Sequence, residues 1–166
     1  MPGIDKANFE ELYSVMYTPI KNYVYYKTGD VDVAEDVAQD TFLKLWEKKE
    51  NIREKSIRPL LYTIAGNLCK NRFDHQRVVL EFSKNYRIEE TPDSPEFELE
   101  LKEFINKLEN AIGALKEKNR VVFLMNRIDG LTYNEIASSL GLSVKAIEKR
   151  MKNALDDLKQ TIDFKL

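Results

Sequence analysis

Thr132-Tyr-Asn-Glu-Ile-Ala137, followed by Gly141 and by Ser143-Val-Lys-Ala-Ile147, has the spacing of two short helices crossing at a tight turn. Helices packed that closely need a small residue in the first helix and a glycine at the turn, and Ala137 and Gly141 fill those places. Glycine enters the left-handed conformation at little steric cost. Ile136, Leu140, Leu142, Ile147 and Met151 supply the apolar faces that hold the pair against a supporting helix. Thr132 with Glu135 reads as a capping box, and Ser143 as the N-cap of the second helix. The pattern is a helix-turn-helix whose second helix presents Lys145, Glu148, Lys149, Lys152 and Asn153 outward, with Thr132 at the foot of the first. Side chains on such a helix reach base edges and phosphates. An ordinary helical hairpin with a solvated charged face would share the spacing; the agreement of small, glycine and apolar positions favours DNA binding.

The chain has 166 residues, 43% hydrophobic and 33% charged, which suits one domain or two small ones with real cores. A single cysteine, Cys69, excludes an internal disulfide framework and a cysteine-based zinc cluster, and with one histidine, His75, leaves few metal-ligand sets. Cys69 reads as a packed thiol, and neither a metal nor a cofactor is expected. No apolar run approaches the roughly 20 residues that span a bilayer, and the first residues lack a secretory core, so a cytoplasmic location is expected.

A formal net charge of -2 is unusual for a nucleic-acid binder, but the charge is segregated. Residues 1–50 sum to -4, 51–77 to +4, 78–111 to -5 and 112–166 to +3. The two basic blocks alternate with acidic ones, and the second contains the helix-turn-helix.

The rest of the chain also reads as helical. Phe9, Leu12, Tyr13, Met16, Ile20, Tyr23 and Val24 recur at helical spacing until Gly29-Asp30 stops the run. Asp32 with Glu35 opens a second helix, lined by Ala34, Val37, Ala38, Phe42, Leu45 and Trp46. Pro59 fits the first turn of a third, with Leu60, Leu61, Ile64, Leu68 and Phe73 on its apolar side. Residues 78–95 mix isolated apolar residues with charge and end in Thr91-Pro-Asp-Ser-Pro95, which predicts a linker. Ser94 and Pro95 then cap and start a helix through Phe97, Leu101, Phe104, Ile105, Leu108, Ile112 and Leu115. Val121 to Met125 form a further apolar run before the turn at Asp129-Gly130. The expected fold class is all-α: two small helical domains, residues 1–77 and 96–166, joined by the linker 78–95.

Asp32-Val-Ala-Glu-Asp-Val-Ala-Gln-Asp-Thr-Phe-Leu-Lys-Leu-Trp46 resembles, over fifteen consecutive residues, the polymerase-binding helix of region 2 in sigma-70 family factors, particularly the small extracytoplasmic-function type. Pro59-Leu-Leu-Tyr-Thr-Ile-Ala-Gly-Asn67 is similar to the family's helix that melts and reads the -10 element, and residues 96–158 resemble region 4. The resemblance covers nearly the whole chain in the family's order. It implies a sigma factor that binds core RNA polymerase, recognises promoter DNA at the -10 and -35 elements and assists strand opening. It also implies an anti-sigma partner of the membrane-associated kind.

Each segment suits the role so implied. Asp36, Gln39 and Asp40 share one helix face by their i, i+3 and i+4 spacing. By resemblance this patch grips the polymerase clamp, where arginines pair with carboxylates bidentately; from composition alone it reads as a solvated face. Lys55, Arg58, Lys70 and Arg72 are placed to neutralise promoter phosphates, contacts that position without specifying. Tyr62, Asn67 and Asn71 are candidates to hold unstacked bases, although Tyr62 equally suits a core position. Leu60 stands where the family often has tryptophan, and Thr63 and Gly66 where arginines are frequent. By resemblance the helix from Lys145 to Asn153 enters the major groove at the -35 element. Its Glu148 departs from a commonly basic position, and arginines frequent near Asn153 and Leu155 are missing. Glu148 either accepts from a cytosine amino group or pairs with Lys145 or Lys152.

No nucleotide-binding glycine loop or catalytic constellation stands out, so the chain reads as a non-enzyme without a small-molecule substrate. The rival reading is a helix-turn-helix repressor or activator that binds a palindromic operator as a dimer.

Overall fold

A computed structural model describes residues 3–53, 57–72, 78–82 and 94–162. These residues form seven α-helices: α1 (Lys6–Thr28), α2 (Val31–Glu47), α3 (Ile57–Arg72), α4 (Pro95–Gly113), α5 (Glu117–Arg127), α6 (Tyr133–Leu140) and α7 (Val144–Thr161), with a 3-10 turn at Lys49–Asn51. The fold is all-α, as the periodicities predict.

The ends of α1 follow from local chemistry. Asp5 accepts from the Asn8 backbone N–H at 2.8 Å, and Gly29, at φ 68°, donates its own N–H to the Tyr25 carbonyl at 2.7 Å. The start of α2 differs from the sequence expectation. It is capped by Asp30, whose carboxylate accepts from Val33 N at 3.1 Å, so Asp32 lies inside the first turn. The stop signal of one helix and the start signal of the next abut at Gly29-Asp30. Asp32 still suits its place, because a negative charge is favourable near a helix N-terminus.

α1, α2 and α3 pack as one bundle around Ile20, Val24, Val37, Phe42, Leu45 and Leu61, all buried. Each such side chain contributes about 1.5–3 kcal/mol by its removal from water. Phe9 stands edge-on to Phe42 and Trp46, and Lys49 lies 3.6 Å above the Trp46 ring, closing the far end of the bundle. α5 supports α6 and α7 through Val122, Leu124, Met125, Ile136, Ile147 and Met151. α4 begins as expected, with Ser94 accepting from Phe97 N and Pro95 at the first helical position. Its expected apolar stripe is only partly used: Ala111 and Ile112 are buried, whereas Phe97 and Phe104 are exposed.

The two halves share one continuous core, with α1 against α5 and α3 against α6. Arg120 of α5 is buried between the C-terminal ends of α1 and α4. It donates to the carbonyls of Tyr26 (2.7 Å) and Lys27 (3.0 Å) on one side and of Leu115 (2.9 Å) and Gly113 (3.2 Å) on the other. Asp129 accepts from the Tyr26 hydroxyl at 2.6 Å and from Asn22 Nδ2 at 3.1 Å, and Lys27 pairs with Glu117 at 3.2 Å.

Residues 78–82, read from sequence as the start of a linker, lie packed across these helix ends. Leu80 is buried, Glu81 N–H donates to the Tyr25 hydroxyl at 2.9 Å, and Phe82 N–H donates to Glu109 Oε1 at 2.8 Å. The backbone of this strap runs so close to the helix termini that a Cβ on Gly29 would sit 2.5 Å from the Val79 oxygen. One on Gly113 would sit 2.6 Å from that of Val78.

Candidate polymerase and nucleic-acid interfaces

The inner face of α2 buries Ala34, Val37, Ala38, Thr41, Phe42 and Leu45, which turns Asp36, Gln39 and Asp40 to the opposite side. Asp36 and Gln39 are exposed and Asp40 is half-buried. Leu43, 60% exposed, adjoins them by its i+3 and i+4 spacing from Asp40 and Gln39. The result is an acidic, hydrogen-bonding surface with one apolar side chain, held on a rigid helix. Thr41 does not disturb that helix, because its buried hydroxyl donates to the Val37 carbonyl at 2.7 Å.

On α3, Asn67, Lys70 and Asn71 are exposed and share a face with Thr63, whose hydroxyl is turned back onto the Pro59 carbonyl at 3.0 Å. Arg58 is exposed at the start of the helix. Lys55 lies outside the described residues, as does the side chain of Arg72, whose backbone ends α3. Tyr62 stands apart from this polar face. It is 4% exposed and edge-on to Tyr23, with ring centres 5.1 Å apart, which agrees with its core alternative. Burial, reinforced by the Asp129 carboxylate, pushes its phenol up to about 12. Arg58, Tyr62 and Asp129 line a cleft of about 250 Å³ between α1, α3 and the turn before α6.

The helix-turn-helix forms as its sequence dictates. Thr132 Oγ1 accepts from Glu135 N at 3.1 Å while Glu135 Oε2 accepts from Thr132 N at 2.9 Å, the reciprocal capping box. Gly141 takes φ 66° and Ser143 accepts from Ala146 N at 3.1 Å. Ile147, Met151, Ala154 and Leu158 bury one side of α7. Lys145, Glu148, Lys149 and Lys152 therefore project together on the other, exposed, with Asn153 half-buried at their edge. Among the described residues Glu148 forms no ion pair within 4.0 Å with Lys145 or Lys152, which leaves its carboxylate oxygens directed to the surface. Thr132 is exposed, but its oxygen is engaged in the cap.

Cys69 is buried and burial raises its pKa, which makes it an inert packed thiol. The described residues hold no group of three or more His, Cys, Asp and Glu able to bind a metal. The residues that sequence reading missed are Arg120, Asp129 and Tyr26. The contacts that Arg120 and Asp129 make with α1 span 93 to 107 positions, beyond any local spacing, and the only signal was an arginine opening the apolar run at Val121.

The surfaces thus fall in the order acidic helix, polar-and-basic helix, helix-turn-helix. Residues 12–78 match the family model described as sigma-70 region 2, and residues 105–158 that of sigma-70 region 4. The chain is 33% identical to the RNA polymerase sigma factor YlaC of Bacillus subtilis, covering 95% of this chain and 93% of that one. It is 31% identical to the ferric citrate uptake sigma factor FecI of Escherichia coli, covering 89% and 87%. In fold it is similar to the sigma factor RpoE of Bartonella quintana, solved with the anti-sigma factor NepR, at a TM-score of 0.66 and 16% identity over 96% of this chain and 99% of the other. CnrH, solved with the cytosolic domain of CnrY, gives 0.63 and 23% over 98% and 92%. With both regions matched in order and near-full-length relatives on the same pattern, the chain belongs to the sigma-70 family of RNA polymerase sigma factors, in its extracytoplasmic-function branch.

Proposed function

We propose that this protein binds core RNA polymerase and directs promoter-specific transcription initiation, with residues 1–77 engaging polymerase and the -10 element and residues 96–166 the -35 element. The observation that carries this reading is the α2 surface: region 2 is matched over 12–78, and within it Asp36, Gln39 and Asp40 face away from the core on one helix. Carboxylates so arranged suit bidentate pairing with arginines of the polymerase clamp.

On α3, Arg58 and Lys70 supply charge for the phosphate backbone, and Asn67 and Asn71 supply amides for an unstacked base. Lys55 and Arg72 are assigned the same role from sequence. On α7, Lys145, Lys149 and Lys152 contact phosphates, and Glu148 and Asn153 read base edges. Thr132 adds a hydroxyl at the foot of α6. Phosphodiester chemistry stays with the polymerase. The protein acts in the cytoplasm; no helix among the described residues is long and apolar enough to cross a membrane. An anti-sigma partner is part of the proposal, supported by relatives of this fold solved with such proteins. A dimeric operator-binding regulator would have no use for a region 2 surface.

The test is co-elution of the protein with sigma-free core polymerase, comparing wild type with an Asp36→Ala, Asp40→Ala variant. Stoichiometric binding by wild type, lost in a folded variant, is the expected result. A folded wild type that fails to bind polymerase from its own source would overturn the reading.

A further inference from the structure

A cleft of about 250 Å³ opens between α1, the start of α5, the turn from α6 to α7 and α7 itself. Val121, Leu140 and Leu142 give it apolar walls. None of the residues assigned above to polymerase or DNA lines it.

Its charge is unbalanced. Lys27, Lys118 and Arg150 bring three positive charges to the cleft and Glu117 one negative charge, which leaves +2. Glu117 pairs with Lys27 at 3.2 Å, whereas among the described residues Lys118 and Arg150 have no carboxylate within 4.0 Å. Cations gathered at one cleft with apolar walls focus a positive field, and an anion placed between them relieves their mutual repulsion.

Two of the polar groups are held in place. The Lys27 side chain is 14% exposed, and its ammonium lies 5.1 Å from the centre of the Tyr23 ring. An ammonium has three donors, of which Glu117 engages one. Tyr23 is 8% exposed, yet its hydroxyl meets no hydrogen-bond partner among the described residues, with Lys27 beside it outside that geometry. A phenol buried to this degree ordinarily finds a partner, and here it lines the cleft as an unused donor.

We propose that this cleft is a binding site for a small dianion: a phosphate group, free or carried as a monoester. The charge of +2 matches such a dianion, and its terminal oxygens offer acceptors to the Arg150 fork, the two ammonium groups and the Tyr23 hydroxyl together. The apolar walls accommodate the organic body of a monoester, while the volume is that of a small-molecule site and not of a duplex. The site stands apart from the polymerase-binding reading and is testable without it.

Inorganic phosphate and phenyl phosphate are titrated separately into the full chain at constant ionic strength, set with sodium chloride, while the backbone amides of Val121, Gly141 and Leu142 are followed by NMR. Saturable shifts are expected at those amides, with a dissociation constant on the order of 1 mM. Lys118→Gln and Arg150→Gln are each expected to weaken binding about fivefold, and Glu117→Gln to tighten it by a similar factor, because the one carboxylate at the cleft is removed. Opposite effects at adjacent positions 117 and 118 distinguish a site from a general salt effect. Tighter binding of phenyl phosphate than of phosphate assigns the site to a monoester, and equal binding assigns it to the free ion. Shifts that grow linearly without saturating overturn the proposal, as do variants of wild-type helicity that all titrate like wild type. Exposed Lys118 decides alone if Arg150→Gln does not fold.

Discussion

Arg120 Nε donates to the Tyr26 carbonyl at 2.7 Å across 94 residues of sequence, so a side chain of one half completes a helix of the other. The same guanidinium also serves the carbonyls of Gly113 and Leu115. Arg120→Met should therefore remove more than an interface contact, leaving buried carbonyls on two helix ends without donors. A destabilisation of about 2–4 kcal/mol is expected, read as a lower urea midpoint. A loss below about 0.5 kcal/mol would show that water replaces the guanidinium fully.

Asp129 makes the stability of the fold pH-dependent. Burial raises its carboxyl pKa, while hydrogen bonds from Tyr26 and Asn22 partly oppose that. A carboxyl whose pKa is higher in the folded chain than in the unfolded one binds more protons when folded. Its contribution is fully present below the unfolded-state pKa and is lost as pH rises through the folded-state value. Mild acidification is thus expected to raise the stability of wild type relative to Asp129→Asn. Urea unfolding of both proteins followed against pH tests this; identical profiles would refute it.

Gly29 and Gly141 have nearly the same φ, 68° and 66°, yet should respond differently to alanine. A Cβ on Gly141 meets nothing within 4 Å, so Gly141→Ala carries only the left-handed strain, about 1 kcal/mol. A Cβ on Gly29 would lie 2.5 Å from the Val79 oxygen, so Gly29→Ala must also displace the strap. Thermal midpoints should fall further for Gly29→Ala, and equal losses would mean that the strap yields freely.

Thr132→Ala removes one side of the capping box at the head of α6. The expected loss is about 1 kcal/mol, with Thr132→Ser close to wild type. Denaturant unfolding of both variants gives the answer; a neutral alanine variant would assign the cap to water.

On α7 the charged residues should divide by role. Lys149→Ala or Lys152→Ala in the polymerase complex is expected to weaken promoter binding across sequences and to lower the salt slope by about one. Glu148→Ala is expected instead to relax selectivity at one -35 position, by about 1–3 kcal/mol of discrimination. Competition among promoter variants at two salt concentrations separates the two behaviours.

What the sequence made legible was local chemistry. The Thr132-Glu135 box, the caps at Ser94 and Ser143, the turn at Gly141 and the apolar sides of α2 and α7 all lie within a few residues of their partners, where spacing is informative. Asp30 was harder to place because it caps one helix directly behind the glycine that ends another. Tyr62 had two readings because an aromatic residue suits both a core and a base stack, and only the position of α6 distinguishes them. Leu80 and Arg120 were illegible: a single apolar residue among charges, and an arginine beside an apolar run, give no hint of partners on distant helices.

The strap at Val78–Phe82 also sets a ruler. While it stays clamped between Gly29 and Gly113, the covalent path from Phe82 to Ser94 can stretch at most about 40 Å. Freed back to the end of α3 at Arg72, the path to Ser94 reaches about 75 Å. The packed strap therefore holds α3 and α4 well inside the separation that their covalent connection permits.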